Sequence, residues 1–191
     1  MKFSKLTERI SQLGSDKWLV HLEARKLKKN NPNIIELTIG EPDQITPNEL
    51  IQKCYESMIS GRTKYSNGRG EENLLEALSK KYQSRTSLKV SRNNFLCLPG
   101  TQTALFATVM CLVEEGDEIL VGDPYYATYE GIIQSSGADL IPIPLREEHD
   151  FSLQENDIRK KITNKSKAIL LLSLIHISEP TRQAEISYAV F

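Results

Sequence analysis

From residue 95 onward, short apolar runs alternate with helix-length amphipathic stretches, and this alternation limits the fold more than any other feature of the sequence. The runs fall at residues 95–98, 118–121, 140–143 and 167–171, with helical patterns over 101–115, 125–136 and 154–162. Gly116 and Gly137 stand where the first two helices should stop, as C-terminal glycines do. Strands joined by whole helices must lie parallel, because an antiparallel pair needs only a tight turn. The pattern therefore predicts an α/β fold, a mainly parallel sheet with helices on both faces.

Upstream, residues 1–30 read as a polar helical arm anchored by Trp18, Leu19 and Leu22. Residues 34–39 read as a short strand ending at Gly40. Thr46-Pro47-Asn48-Glu49 has the form of a helix start, with Thr46 as cap, Pro47 in the first turn and Glu49 closing a capping box. The helix behind it is expected to bury Leu50, Ile51, Cys54, Tyr55, Met58 and Ile59 and to stop at Gly61. A second helix follows Gly70, with Leu74, Leu75, Leu78 and Tyr82 on one face.

A formal net charge of -1 gives no field for drawing in nucleic acid or an anionic membrane, so neither is expected as a partner. The one basic cluster, Arg25, Lys26, Lys28 and Lys29, reads as a solvated helix face. Cys54, Cys97 and Cys111 are odd in number and widely spaced, which suits buried free thiols in a reducing compartment. His21, His149 and His176 are far apart and no CxxC or HExxH occurs, so no metal site is expected. The N-terminus carries no apolar core of signal-peptide length, and the most apolar stretch, residues 168–177, is shorter than the about 20 residues that span a bilayer. A cytoplasmic location is the expectation.

Three segments could hold a phosphorylated ligand. Gly100-Thr101-Gln102 lies between an expected strand and an expected helix. Glycine lets the chain bend sharply there, and the helix behind it offers unpaired N–H groups and the positive end of its dipole. Tyr126, in Asp123-Pro124-Tyr125-Tyr126-Ala127-Thr128-Tyr129, could stack on a flat heterocycle. Tyr129, and with it Tyr125, reads better as packing against its own helix. Thr63-Lys64-Tyr65-Ser66-Asn67-Gly68-Arg69-Gly70 is a polar loop whose Tyr65 hydroxyl could donate to a phosphate. The nucleotide-loop patterns GxGxxG and GxxxxGK[ST] do not occur after the first strand.

These blocks, with Gly40-Glu41-Pro42-Asp43, stand in an order and at spacings that resemble the class I/II aminotransferases of the pyridoxal-phosphate (PLP) fold-type I superfamily. The resemblance runs from about Ile34 to Leu171, and its wording around Trp18, His21 and Gly116 to Glu130 is similar to the arginine–pyruvate transaminase branch. It implies transfer of an amino group from an amino acid to a 2-oxo acid, with pyridoxal 5'-phosphate as cofactor. By the same resemblance the Gly40 main chain lies beside the substrate α-carboxylate. Gly100, Thr101 and Gln102 form the phosphate cup, Tyr126 stacks on the pyridine ring, and Tyr65 reaches the cofactor of the other subunit of a homodimer. Residues 1–40 would be an N-terminal arm and the start of a small domain, and residues 41–171 the front of the cofactor-binding large domain. Leu74-Leu75 replaces the family's usual Leu-Arg, which reads as a packing variation. No lysine here stands in the family's Ser-x-x-Lys setting, so no catalytic residue is assigned, and the chain as it stands is expected to be inactive. A PLP-dependent lyase, or an effector-sensing module on the same scaffold, is the alternative within the resemblance. The module would need a helix-turn-helix segment that residues 1–33 are too short to hold.

The last twenty residues read differently. Leu172 to Arg182, LSLIHISEPTR, is the translation of the transposase-type adapter used in sequencing libraries. After three residues matching a variable index, Ile186 to Phe191 gives ISYAVF, the translation of the next fixed adapter block. Residues 172–191 are therefore expected to be an adapter-derived tail that is not native and is set aside in reading the fold.

Overall fold

The computed structural model describes residues 3–11, 13, 15–40 and 44–172. The chain divides into two units, one of residues 1–40 with 105–191 and one of residues 41–104, and the division falls inside a helix.

The first unit is built on a three-stranded parallel sheet. Strand β1 (Glu118–Asp123) lies between β2 (Asp139–Pro144) and β3 (Ser166–Leu170). Along β1, Ile119 pairs with Leu140 and Ala168, and Val121 with Pro142 and Leu170. Ile119, Leu120 and Val121 are all buried, as expected for a central parallel strand covered on both faces, which therefore reads as an unbroken apolar run. Helix α6 (Tyr129–Ser136) links β1 to β2, and α7 (Glu155–Lys161) comes between β2 and β3. Both pack on β2. The core gathers Val109, Val113, Ile119, Val121, Tyr129, Ile133 and Ala138, and Leu172 packs against it.

Side-chain ties close the sheet at its edges. Glu118 Oε2 accepts from Thr163 Oγ1 at 2.6 Å and from Ser166 Oγ at 3.0 Å, joining the start of β1 to the approach to β3. Arg146, just past β2, reaches Asp157 of α7 at 2.6 Å. That guanidinium holds the Asp157 carboxyl below the usual carboxylate range. Gly137, at the end of α6, adopts φ +94°, the left-handed conformation that the sequence position asked for.

The N-terminal arm is two helices, α1 (Lys5–Ser11) and α2 (Ser15–Asn30). α1 packs on α6. Trp18, Leu19 and Leu22 were expected to anchor the arm, but all three are substantially exposed, whereas His21 of α2 is buried. Arg25, Lys26, Lys28 and Lys29 are exposed, the solvated face expected of them.

Residues 34–39 form no strand and bend at Thr38 and Ile39, because among the described residues no neighbouring strand supplies a ladder. Ile35 and Leu37 face outward, while Ile34 and Glu36 are partly covered, so the two-residue alternation survives without the sheet.

In the second unit, α3 (Asn48–Ile59) starts one residue later than expected. Pro47, not Thr46, is the cap, and no side chain closes it. Its carbonyl accepts from the Leu50 and Ile51 N–H groups instead. The end of α3 is as anticipated: Gly61 at φ +81° donates to Met58 O and Arg62 donates to Ser57 O, the pair of bonds that defines a Schellman stop. The apolar stripe is another correction. Leu50, Ile51, Cys54, Tyr55, Met58 and Ile59 are not buried, since amphipathicity names the face of a helix and not what covers it.

Helix α4 (Glu72–Thr86) buries Leu75 and Ser79 and part-buries Leu78 and Tyr82, whereas Leu74 is exposed. Tyr82 meets Phe95 edge-on at 5.2 Å. Residues 95–98 are not a strand either: Phe95 has strand-like angles, but Cys97 N–H donates to a loop carbonyl, that of Arg69, at 2.8 Å. Cys54 and Cys111 are exposed and Cys97 is half-buried, so the thiols are free but not the buried ones anticipated. Among the described residues, no helix is long and apolar enough to cross a membrane, and no group of three or more His, Cys, Asp or Glu could hold a metal ion. Of the expected adapter tail, residues 173–191 lie outside the described residues.

Candidate cofactor site

Helix α5 (Thr101–Leu112) begins directly after Gly100, whose φ is +85°. A side chain is strained in that conformation, yet the space around the position is open, with no atom within 4 Å of where a Cβ would stand. The first rung of the helix ladder is Ala104 N–H to Gly100 O at 3.1 Å. The N–H groups of Thr101, Gln102 and Thr103 therefore precede the ladder, and Thr101 and Gln102 are exposed. Three N–H groups at the positive end of a twelve-residue helix, behind an unobstructed glycine, suit a phosphate of about -1.5 to -2 charges. The turn that the sequence singled out is thus a surface feature and not packed interior.

The loop carrying Tyr65 is held at its base. Arg62 pairs with Glu71 at 2.8 Å, and Glu71 also accepts from Ser66, which with the arginine keeps its carboxyl below the usual range. Within the loop, Asn67 Oδ1 accepts from Arg69 N–H at 3.0 Å and Arg69 donates to Asn93 O at 2.7 Å. Gly70 ends it at φ +120°, where a Cβ would stand 3.0 Å from that of Cys97. The frame is tied down while the Tyr65 ring is fully exposed.

In the first unit, the loop after β1 separates its three tyrosines by role. Tyr129 is buried in the core, and that burial pushes its hydroxyl pKa up. Tyr125 packs against the same core. Tyr126 is half exposed, and its ring centroid stands 5.8 Å from that of Tyr129 in an edge-to-face pair. A cleft of about 230 Å³ opens past the end of β1, lined by Pro124, Tyr125, Tyr129, Leu145 and Phe151, among others, and not by Tyr126. Gly40 is exposed, with no atom within 4 Å of its Cβ position. Residues 41–43, the rest of that block, lie outside the described residues.

One arrangement escaped the sequence reading. His21, to which no contact was assigned from sequence, meets both Glu36 and Thr38 at 2.8 Å. The available signal was their spacing: Glu36 and Thr38 are two apart and share one side of an extended chain.

A parallel sheet with helices packed on it makes this an α/β protein. Residues 32–176 match the family described as Aminotransferase class I and II. Arginine–pyruvate transaminase AruH of Pseudomonas aeruginosa is 33% identical over 173 residues, 91% of this chain and 44% of that protein. A probable aspartate/prephenate aminotransferase of Aquifex aeolicus is 30% identical over 88% of this chain and 43% of its own length. Among solved structures, the Thermus thermophilus aspartate aminotransferase with maleate superposes with a TM-score of 0.82 at 26% identity, covering 91% of this chain and 45% of that one. Alanine aminotransferase from Pyrococcus furiosus gives 0.80 at 28% identity, over 88% and 43%. The chain belongs to the class I and II aminotransferases, whose members of this fold type use PLP. It spans less than half the length of these relatives.

Proposed function

We propose that the full-length protein moves an amino group between an amino acid and a 2-oxo acid with the help of PLP. The observation that carries this reading is the open, glycine-led mouth of α5 in a chain of this family. When bound, PLP supplies an electron sink for bonds at the amino-acid α-carbon. The residues of this chain bind and orient. The N–H groups of Thr101 and Gln102 hold the phosphate behind Gly100, and the half-exposed Tyr126 ring receives the pyridine plane. The Gly40 main chain takes the substrate α-carboxylate. Tyr65, exposed on a braced loop, reaches the phosphate bound by the other subunit of a homodimer.

No lysine of this chain stands in the family's Ser-x-x-Lys setting, so its residues are assigned binding and orienting roles and no proton transfer. Residues 41–171 form the front of the cofactor-binding domain, residues 1–40 an arm leading into the small domain, and residues 172–191 are adapter-derived. Three unpaired thiols suit a reducing, cytoplasmic setting. Arginine and pyruvate, named for the Pseudomonas relative, are the first substrate pair to offer.

The test is a half-reaction. PLP-loaded full-length protein mixed with L-arginine and no acceptor should lose its cofactor absorbance and recover it when pyruvate is added, with alanine formed in equal amount. If neither L-arginine nor any other amino acid changes the spectrum, the reading fails.

A further inference from the structure

We propose that His21 is a positioning residue: it clamps the segment that ends at Gly40 and so sets the substrate end of the site. The substrate part rests on the function just proposed, in which the Gly40 main chain meets the α-carboxylate.

His21 sits in α2 and is only 7% exposed, although no step above uses it. Its Nδ1 lies 2.8 Å from Glu36 Oε1 and 2.8 Å from Thr38 Oγ1. Thr38 donates its own hydroxyl proton to the same Oε1, also at 2.8 Å. That assignment fixes the rest. An ionised carboxylate only accepts, and the threonine proton is already committed to it, so Nδ1 carries a hydrogen and donates. Trp18 places its ring edge-on to the imidazole at 5.9 Å. The Thr38 hydroxyl first, and the nearby His21, Lys28 and Arg25 after it, hold the Glu36 carboxyl below its usual range, so the acceptor stays charged.

The segment has little else to fix it. Among the described residues, Ile34 N–H to Asn31 O is the last main-chain hydrogen bond before Gly40. Ile35 and Leu37 turn outward and contribute no core packing. Residues 34–39 run without a sheet and bend at Thr38 and Ile39, and the side chains of Glu36 and Thr38 bind them to a helix. Gly40 follows Thr38 by two residues, so a lateral shift of the clamped chain is a shift of the proposed carboxylate contact.

The full-length protein is compared with His21→Leu, His21→Asn and Thr38→Val. The asparagine amide can place an N–H near the position of Nδ1, and leucine cannot. Two quantities are read: hydrogen–deuterium exchange of residues 34–40, and the KM and kcat for L-arginine with pyruvate. Losing a hydrogen bond to a charged group corresponds to about a tenfold effect or more. His21→Leu should therefore speed exchange in residues 34–40 by about tenfold and raise KM by about as much, with kcat within about threefold. Thr38→Val should move both quantities the same way, and His21→Asn should restore both to within about threefold of the parent.

Unchanged exchange in His21→Leu and Thr38→Val overturns the clamp. Faster exchange with an unchanged KM overturns the positioning role. If His21→Asn is as impaired as His21→Leu and both melt at lower temperature, His21 only fills the core, which also overturns the proposal; Thr38→Val gives the same decision should His21→Leu fail to fold. A wild-type protein that transaminates no amino acid sinks the function and the substrate part with it, while the exchange result still decides the clamp.

Discussion

Replacing Ile133 by alanine removes three carbons from a side chain with 0% exposure in the centre of the sheet core. At about 0.8 kcal/mol per buried methylene-sized group, the transfer cost alone is about 2.4 kcal/mol. The neighbours Val109, Val113 and Ile119 sit on a helix end and a sheet that cannot collapse fully, so a cavity cost adds to it. The expected loss is about 3–4 kcal/mol, within the usual span for this substitution. Ile35→Ala is the matched control: it deletes the same carbons in the same unit from a side chain 83% exposed. It should cost no more than about 0.5 kcal/mol. Urea unfolding followed by far-ultraviolet circular dichroism gives both values. Equal losses, or less than about 1 kcal/mol for Ile133, would refute the placement of the core beneath α6.

Gly137→Ala faces both a φ of +94° and backbone at 3.0 Å, the Cα of Glu115, so it should cost more than about 2 kcal/mol in the same unfolding assay. Gly116→Ala, at φ +91° in open space, should cost about 1 kcal/mol, and equal values would show that the close approach is not there. The Asp157 carboxyl is depressed mainly by its hydrogen bond from Arg146, so its contribution is full above the unfolded pKa and fades as pH falls through the folded one. Asp157→Asn should flatten the acid limb of stability against pH, and an unaltered limb would contradict that pairing. The source gene, read past the codon for Leu171, should continue without LSLIHISEPTR; finding that string in genomic DNA would end the adapter assignment.

The strands of the sheet were legible because short apolar runs alternate with helix-length stretches, and Ile119, Leu120 and Val121 are buried as such a run requires. The stops at Gly61 and Gly137 were legible for a related reason, since a left-handed residue is a local demand. Residues 34–39 and 95–98 carry the same apolar signal, but a strand also needs a partner, and a run of side chains does not name one. The stripe on α3 misled in the same way. At the site, the Gly100 turn could be found locally because its chemistry is in its own backbone. The His21 cluster could not, as it joins residues 15 or more apart through side chains whose meeting depends on how α2 lies against the extended segment.

A crystal structure of the full-length protein with PLP bound tests the central assignment most directly. The phosphate oxygens should lie about 2.7–3.2 Å from the main-chain nitrogens of Thr101 and Gln102, with the pyridine ring against Tyr126. A phosphate seated elsewhere, with the mouth of α5 facing only water, would contradict it.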